Sequence, residues 1–336
     1  MNKSLLLLVV CIPVLIVGCK QKAKSQDMQD VQQEQFYQKL GGVQQYIEIL
    51  KTSEDNPVLL LIHGGPAWPQ TPQFRYFNKE IAQKYTIVIW EQRGAGKSYL
   101  KNPTPGNISL SKIISDGEEL VTDLRQRFDR DQIYIAGYSW GSIVGLKMAK
   151  AHPENIKAYI GIAQFVNSQK GMEITRDWLQ KKITKKEDLE AAKMLDSLEK
   201  GWIAEDEAFM KQYQLVSKYR GALYKEGAQR KIKKAQNYYE DYNEYDWMEP
   251  YNHSIEYLRD DIDAVDFRDV KNIDVPIYLI LGRHDWNLPA VLAEEWFAKL
   301  DAPEKKIFWM ENAAHGTLEE DPEDFNRIML KEIPLK

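Results

Sequence analysis

The fold is decided by residues 132–151, which read QIYIAGYSWGSIVGLKMAKA. Residues 132–136 have the pattern of a short buried strand, and apolar residues recur at helical spacing after the second glycine of the stretch. Between strand and helix, residues 137–141 (GYSWG) fit the pattern G-x-S-x-G. Because glycine has no Cβ, the two glycines allow a sharp turn that leaves Ser139 exposed at the carboxyl end of the strand. The stretch therefore predicts a reactive serine at the edge of a sheet.

Short aliphatic and β-branched runs alternate with helical patterns on both sides of this turn, which indicates an α/β fold with a mostly parallel sheet. The runs that predict buried strands are residues 58–62, 86–90, 132–136, 158–162, 277–281 and 306–310. Residues 46–50 suggest an additional antiparallel edge strand. Residues 111–128 and 142–151 have helical spacing, and they supply right-handed crossovers between the strands.

The alternation stops over residues 164–263, which show no convincing strand pattern. This stretch is charged, helical in pattern and rich in Tyr and Trp. The strand pattern resumes at Ile277, so the stretch is inserted into one domain rather than appended to it. We therefore predict a core of residues 39–163 and 264–336 with a helical cap of residues 164–263.

Composition and charge narrow the class of protein. The 336 residues are 43% hydrophobic and 28% charged, as in ordinary globular proteins, and the formal net charge is -5. No block of Lys and Arg offers the basic surface that nucleic acid requires, so we exclude nucleic acid as a partner. The two cysteines are Cys11 and Cys19, and the chain after them can form neither a disulfide nor a cysteine metal site.

The N-terminus has the pattern of a bacterial targeting segment. A positive residue precedes an apolar run over residues 5–17, which is too short to span a membrane comfortably. The run ends in IVGC, which resembles a lipobox and predicts removal of a signal peptide of residues 1–18 and lipidation of Cys19 in the cell envelope, outside the cytoplasm. An ordinary signal peptide or a single N-terminal anchor is the alternative. Residues 19–38, rich in Lys and Gln, are predicted to form a flexible tether.

A serine hydroxyl is a poor nucleophile at neutral pH, so Ser139 requires a base, and histidine has a suitable pKa. In a fold of this kind the chain order is serine, then an acid after a late strand, then histidine. The predicted strand at residues 277–281 leads into Asp285, and His315 is the only histidine that follows. We therefore predict Ser139 as nucleophile, Asp285 as acid and His315 as general base.

Backbone amides near Ser139 are candidates for binding the oxyanion of a transition state. The sequence HGGP at residues 63–66 directly follows the predicted strand at residues 58–62. Glycine allows close approach of the backbone to a substrate. We assign the donors to the amides of Trp140 and Gly65, with Gly64 as the fallback for the second.

Other residue patterns do not indicate a metal or a phosphate-binding loop. The five histidines lack H-E-x-x-H or any comparable spacing, so we predict no metal. Residues 91–98 read EQRGAGKS and contain GKS, but a P-loop requires glycine at the position of Glu91. A structural turn beside the site, in which Arg93 braces neighbouring loops, is the better interpretation.

Taken together, these motifs resemble the proline iminopeptidase branch of the α/β-hydrolases. The resemblance covers the core from about Val58 but not the cap, and it rests on HGGP (63–66), EQRGAGKS (91–98), GYSWGS (137–142), GRHD (282–285) and His315. It implies the α/β-hydrolase fold, with a mostly parallel sheet of about eight strands and a helical cap after the sixth strand. It also implies that Ser139, Asp285 and His315 form the triad and that no cofactor is needed.

The chain departs from the family pattern at three positions that flank the predicted site. Ala67, Glu91 and Tyr138 stand where the family usually has Gly, Asp and Gly. Tyr138 is therefore a candidate substrate contact. Peptidases of the family hold the free α-amine of the substrate with acidic cap residues, and our candidates for that role are Glu205 and Glu240.

These observations predict a serine hydrolase that works through an acyl-enzyme. The first hypothesis is an aminopeptidase that releases an N-terminal residue such as proline from short peptides, and the alternative is a carboxylesterase or lactonase of small molecules. Ser139 argues against haloalkane and most epoxide hydrolases, which use an aspartate nucleophile in this fold. An inactive lipid-anchored binding protein is disfavoured because it has no need of the complete set of serine, acid and histidine.

Overall fold

The computed structural model describes residues 30–103, 108–198 and 206–335, although not the side chains of residues 206–209. The predicted signal peptide and Cys19 lie outside the described residues. None of the helices in this described part combines the length and the apolar content that a membrane span needs.

Eight strands in the described residues form one sheet, in the spatial order β1-β2-β4-β3-β5-β6-β7-β8. The strands are β1 (Gln32–Leu40), β2 (Val43–Lys51), β3 (Val58–Ile62), β4 (Thr86–Glu91), β5 (Ile133–Tyr138), β6 (Ile156–Ile162), β7 (Ile277–Gly282) and β8 (Lys305–Met310). The first two pairings are antiparallel, and all pairings from β4 to β8 are parallel. The predicted fold class is confirmed, and the bounds of the six predicted strands are correct to within two residues at either end. Strand β8, predicted as buried, is instead a partly exposed edge strand.

Helices cover both faces of the sheet and form the cap. They are α1 (Thr71–Phe77), α2 (Gly96–Lys101), α3 (Leu110–Arg127), α4 (Trp140–Ala151), α5 (Ser168–Lys186), α6 (Leu189–Asp196), α7 (Asp206–Lys218), α8 (Ala228–Gln236), α9 (Met248–Asp263), α10 (Ala290–Lys299), α11 (Thr317–Glu320) and α12 (Pro322–Arg327). Helices α5 to α9 lie between β6 and β7 in the chain. The cap is therefore inserted after the sixth strand.

The central strands are apolar at almost every position because both of their faces are buried. On β3, Leu60 and Ile62 pack into the hydrophobic cluster that also contains apolar residues of α3 and α4. Leu59 and Leu61 point to the opposite face and join a second cluster with residues from α1 and α12. Continuous apolar runs, rather than alternating ones, therefore mark these strands in the sequence.

Residues 32–38 correct the predicted tether, because they belong to strand β1. This strand pairs with β2 along its whole length. The side-chain amides of Gln33 and Gln35 donate hydrogen bonds to the buried carboxylate of Glu48 on β2. The segment is polar because β1 is the edge of the sheet and is mostly exposed, which its composition alone does not distinguish from a tether. Strand β2, predicted as an edge, lies between β1 and β4.

The cap is fixed to the core by buried polar contacts next to β4. The carboxylate of Glu91 is fully buried and accepts hydrogen bonds from the hydroxyls of Thr71 and of Tyr242 in the cap. Burial raises the pKa of Glu91, and the hydroxyl donors oppose that rise. Arg75, also buried, forms an ion pair with Asp241 of the cap at 2.9 Å. Adjacent cap residues thus contact two buried charges of the core.

The start of helix α4 packs against the backbone of β3 more closely than a side chain would permit. An added Cβ at Gly141 would lie 2.1 Å from the carbonyl oxygen of Ile62, and one at Gly137 would lie 2.5 Å from the carbonyl oxygen of Gly141. Both obstacles are backbone atoms, which a rotamer change cannot remove. Both glycines of the 137–141 motif are therefore required by contact distance.

We predict that Gly141→Ala destabilises the fold by about 1–3 kcal/mol or more, because the methyl group forces the backbones of α4 and β3 apart. The measurement is the free energy of urea unfolding. The matched control is Gly171→Ala in α5, where the nearest atom to an added Cβ is 3.6 Å away. That change should be neutral or stabilising by up to about 1 kcal/mol, because alanine favours helix over glycine. Equal stabilities for the two variants would contradict the contact argument.

Candidate active site

Ser139 stands at the sharp turn between β5 and α4. Its backbone has φ of 52° and ψ of -117°, a conformation that L residues rarely adopt and that costs about 1–3 kcal/mol. Hydrogen bonds on both sides hold it there: the amide of Ser139 donates to Ile162 at 2.9 Å, and its carbonyl accepts from the amide of Ser142 at 2.9 Å. The surrounding structure therefore imposes the strained turn that presents the hydroxyl.

The three predicted residues Ser139, His315 and Asp285 lie in one hydrogen-bonded row. The Nε2 atom of His315 is 3.0 Å from the hydroxyl oxygen of Ser139, and its Nδ1 atom is 2.9 Å from Oδ2 of Asp285. A carboxylate only accepts hydrogen bonds, so Nδ1 carries the proton and Nε2 is left to accept from the serine hydroxyl. The arrangement can accept a proton from Ser139.

The loops after β7 and β8 fix the acid and the base. Asp285 is 2% exposed, and its Oδ1 atom accepts the amides of Asn287 and Leu288, each at 2.9 Å. Burial lowers the pKa of His315, but the charge and hydrogen bond of Asp285 outweigh it and hold this pKa above its ordinary value. Asp285 is thus oriented by its own loop and stabilises a protonated imidazole.

A buried hydrogen-bond network joins the turn at Ser139 to two neighbouring loops. His63 donates from Nδ1 to the carbonyl of Gly64 at 2.8 Å and accepts the amide of Gln92 at Nε2, at 3.1 Å. Burial lowers the pKa of His63 to about 4, so this imidazole is neutral at pH 7. The side chain of Gln92 accepts from the indole of Trp140 at 2.9 Å. Gln92 therefore ties the 63–66 loop to the residue that follows Ser139.

The predicted oxyanion donors lie around Ser139. Trp140 is the first residue of α4, and amides in the first turn of a helix have no acceptor within it. Gly64 is buried against the serine, because an added Cβ would lie 3.3 Å from the Cβ of Ser139. Gly65 is exposed and has φ of 109°, which only glycine adopts readily. All three stay candidates for this role.

The structure describes two of the three predicted substrate contacts, Tyr138 and Glu240. Tyr138 is mostly buried, and its hydroxyl donates to the carbonyl of His315 at 3.1 Å, so the side chain supports the histidine loop. Glu240 is exposed, in the connection after α8. Glu205 lies outside the described residues.

Sequence analysis did not identify two buried acidic residues near His315. Glu319 and Glu320 are only 6% and 5% exposed. Glu319 accepts a hydrogen bond of 2.6 Å from the side-chain amide of Gln70, and burial raises the pKa of Glu319 to about 7. The signal available was their position only four and five residues after His315, which keeps them near it in the chain.

Comparison with known proteins supports the family that the motifs suggested. A family model described as the alpha/beta hydrolase fold matches residues 57–322. A probable aminopeptidase from Bacillus subtilis is 30% identical over 296 residues, which are 85% of this chain and 92% of that protein. A proline iminopeptidase from Neisseria gonorrhoeae is 30% identical over 107 residues, 32% of each chain.

Solved structures share the same fold. A proline iminopeptidase-related protein from Thermus thermophilus superposes with a TM-score of 0.63 at 17% identity, covering 89% of this chain and 96% of that chain. At such low identity the likeness concerns the fold alone. The resemblance that the motifs suggested is confirmed by these similarities.

We predict that Glu319→Gln removes a pH dependence of stability. The folded pKa of about 7 exceeds the ordinary 4.5, so between these pH values the unfolded chain releases a proton that the folded chain retains. The stability that Glu319 contributes is therefore complete below about pH 4.5 and is lost as the pH rises through about 7, by about 3 kcal/mol.

Urea unfolding of wild type and Glu319→Gln at several pH values tests this. The variant should gain stability relative to wild type as the pH rises through that window. The exposed Glu323→Gln is the control and should follow wild type. Parallel curves for wild type and Glu319→Gln would contradict the prediction.

Proposed function

The chain belongs to the α/β-hydrolase family, and from that premise we propose that it is a serine hydrolase that releases N-terminal residues, proline first among them, from short peptides. The observation that carries the proposal is the hydrogen-bonded row of Ser139, His315 and Asp285. The similarity to a probable aminopeptidase over 85% of the chain supports the choice of substrate.

In the proposed reaction, the Ser139 oxygen attacks the scissile carbonyl carbon while its proton passes to Nε2 of His315. The amide of Trp140, with that of Gly65 or Gly64, stabilises the resulting oxyanion. The C–N bond then breaks, and His315 gives its proton to the departing amine. Asp285 stabilises the imidazolium throughout.

The acyl-enzyme left on Ser139 is an ester, which water hydrolyses by the same steps. His315 accepts a proton from the water, and the hydroxide equivalent adds to the ester carbonyl. Collapse of this second intermediate releases the carboxylic acid and returns the proton to Ser139. Since deprotonated His315 is the base and its pKa is raised, we expect activity to fall on the acidic side from a higher pH than an ordinary histidine would give.

Hydrolysis of small esters or lactones is the second candidate. The exposed position of Glu240 favours it, because this predicted acid is not buried where it could bind a substrate amine strongly. The two candidates use the same nucleophile and differ in whether the substrate requires a free amine.

We predict that Ser139→Ala lowers turnover by about six orders of magnitude, because the three groups act as a unit. The measurement is kcat for prolyl and other aminoacyl arylamides and for simple aryl esters. A fluorophosphonate should label wild type and leave the variant unlabelled, while circular dichroism and urea unfolding show an intact fold. Full activity of the variant would refute the mechanism and indicate another nucleophile, whereas no turnover of any substrate by wild type would favour the inactive binding protein.

The same panel separates the two substrate classes. For an aminopeptidase, acetylation of the α-amine of a prolyl arylamide should abolish turnover. Unchanged turnover of the blocked substrate, together with faster hydrolysis of esters, would reject the aminopeptidase and favour the esterase.

We also propose that Cys19 is lipidated and holds the enzyme on a membrane in the cell envelope. The support is the IVGC ending of the apolar N-terminal run. We predict that the mature wild type enters the detergent phase of a Triton X-114 separation and incorporates labelled fatty acid, whereas Cys19→Ser incorporates none. An ordinary signal peptide would leave both proteins in the aqueous phase. A single uncleaved anchor would carry both into detergent without labelled fatty acid in either, and either result would contradict lipidation.

A further inference from the structure

One segment of the cap is hydrogen-bonded to both loops that carry the acid and the base. We call residues 221–225, between α7 and α8, the strap. The carbonyl of Gly221 accepts the amide of Trp286 at 2.9 Å, next to the acid Asp285. The carbonyl of Ala222 accepts the amide of His315 itself at 3.0 Å. The strap therefore bridges two loops that follow different strands of the core.

The carboxylate of Glu320 completes this bridge from the other side. Its Oε2 atom accepts the amides of Tyr224 and Lys225 at 2.6 and 3.0 Å, and its Oε1 atom accepts the amide of Ala314 at 2.9 Å. Hydrogen bonds from amides to a buried carboxylate are stronger than those between neutral groups. A single side chain thus joins the strap to the residue before His315.

Aromatic packing fixes both ends of the strap. The ring of Tyr224 stacks on His284 with centroids 3.5 Å apart. At the other end, an added Cβ at Gly221 would lie 2.7 Å from the ring of Trp178 and 2.9 Å from the Cβ of Trp286. The two indoles are themselves stacked, with centroids 5.0 Å apart. The strap has little freedom to move while these stacks persist.

We propose that Glu320 is a positioning residue, which ties the cap strap to the histidine loop and so holds His315 between Ser139 and Asp285. This inference rests on the proposed serine hydrolase function. It has a consequence for the cap: lifting the cap at this edge breaks the hydrogen bonds to His315 and Trp286, so the cap must be seated here for the base to be aligned.

Glu320→Gln tests the role because it preserves the shape of the side chain and removes its charge. Its amide nitrogen is a donor facing backbone donors, so one side of the bridge is lost. We expect kcat per active site to fall about 10- to 100-fold, as for a base displaced by about 1 Å, with KM within about twofold. Active sites are counted by complete fluorophosphonate labelling, so a loss of folded protein alone would leave kcat per labelled site unchanged.

The pH profile gives a second readout. The titratable groups that face His315 are Asp285, Glu319 and Glu320, and the negative charge of each raises the pKa of His315. Glu320→Gln should therefore shift the acidic limb of kcat/KM to lower pH. Glu320→Asp keeps the charge, but its side chain is one methylene too short to reach both the strap and Ala314. We therefore expect kcat to fall without a shift of the acidic limb. This variant also tests the positioning role if Glu320→Gln folds poorly.

The exposed Glu323→Gln is the matched control and should behave as wild type. Wild-type kcat per labelled site in both Glu320 variants would overturn the positioning role and leave the proposed function standing. Failure of the fluorophosphonate to label wild type would instead overturn the proposed function, and the positioning role with it.

Discussion

The close approach of backbone at the turn between β5 and α4 is the constraint on which the rest of the site depends. Gly137 and Gly141 leave no space for a Cβ, and Ser139 between them is held at a positive φ. The turn places the serine hydroxyl and the first amides of α4 at the same end of the sheet. Because β5 is central and fully buried, this strained geometry is supported on both sides by neighbouring strands.

Around this turn, hydrogen bonds between buried polar groups connect loops from distant parts of the chain. His63 and Gln92 link the loops after β3 and β4 to Trp140. Each of these groups is almost completely buried, so each would cost free energy if its partner were removed. The EQRGAGKS segment, whose GKS resembles part of a phosphate loop, therefore has a structural reason for its glutamine and its glutamate. Gln92 accepts a hydrogen bond from Trp140 next to Ser139, and Glu91 accepts one from Tyr242 of the cap.

The cap takes part in the site as well as covering it. The carbonyls of its strap accept hydrogen bonds from the loops of the acid and the base, and the carboxylate of Glu320 accepts hydrogen bonds from amides of the strap. Two consecutive acids thus differ in their surroundings. Glu320 accepts hydrogen bonds from three backbone amides, whereas Glu319 accepts one from Gln70, and burial raises the pKa of Glu319 to about 7. The geometry of the base and the seating of the cap are consequently parts of one hydrogen-bonded assembly.

The sequence by itself determined the parallel sheet, the inserted cap and the identity of the three aligned residues. Apolar runs, the G-x-S-x-G spacing and a single histidine after Asp285 are signals carried by neighbouring residues, so they can be read without knowing the contacts. Only the tertiary structure decided that residues 32–38 form an edge strand, that Glu240 is exposed, and that Tyr138 supports the histidine loop. It also decided the roles of the acids after His315, because one partner of Glu320, the amide of Tyr224, lies 96 residues away in the chain. Burial and partnership of a polar side chain depend on which distant segments pack against it, and local patterns carry no record of that packing.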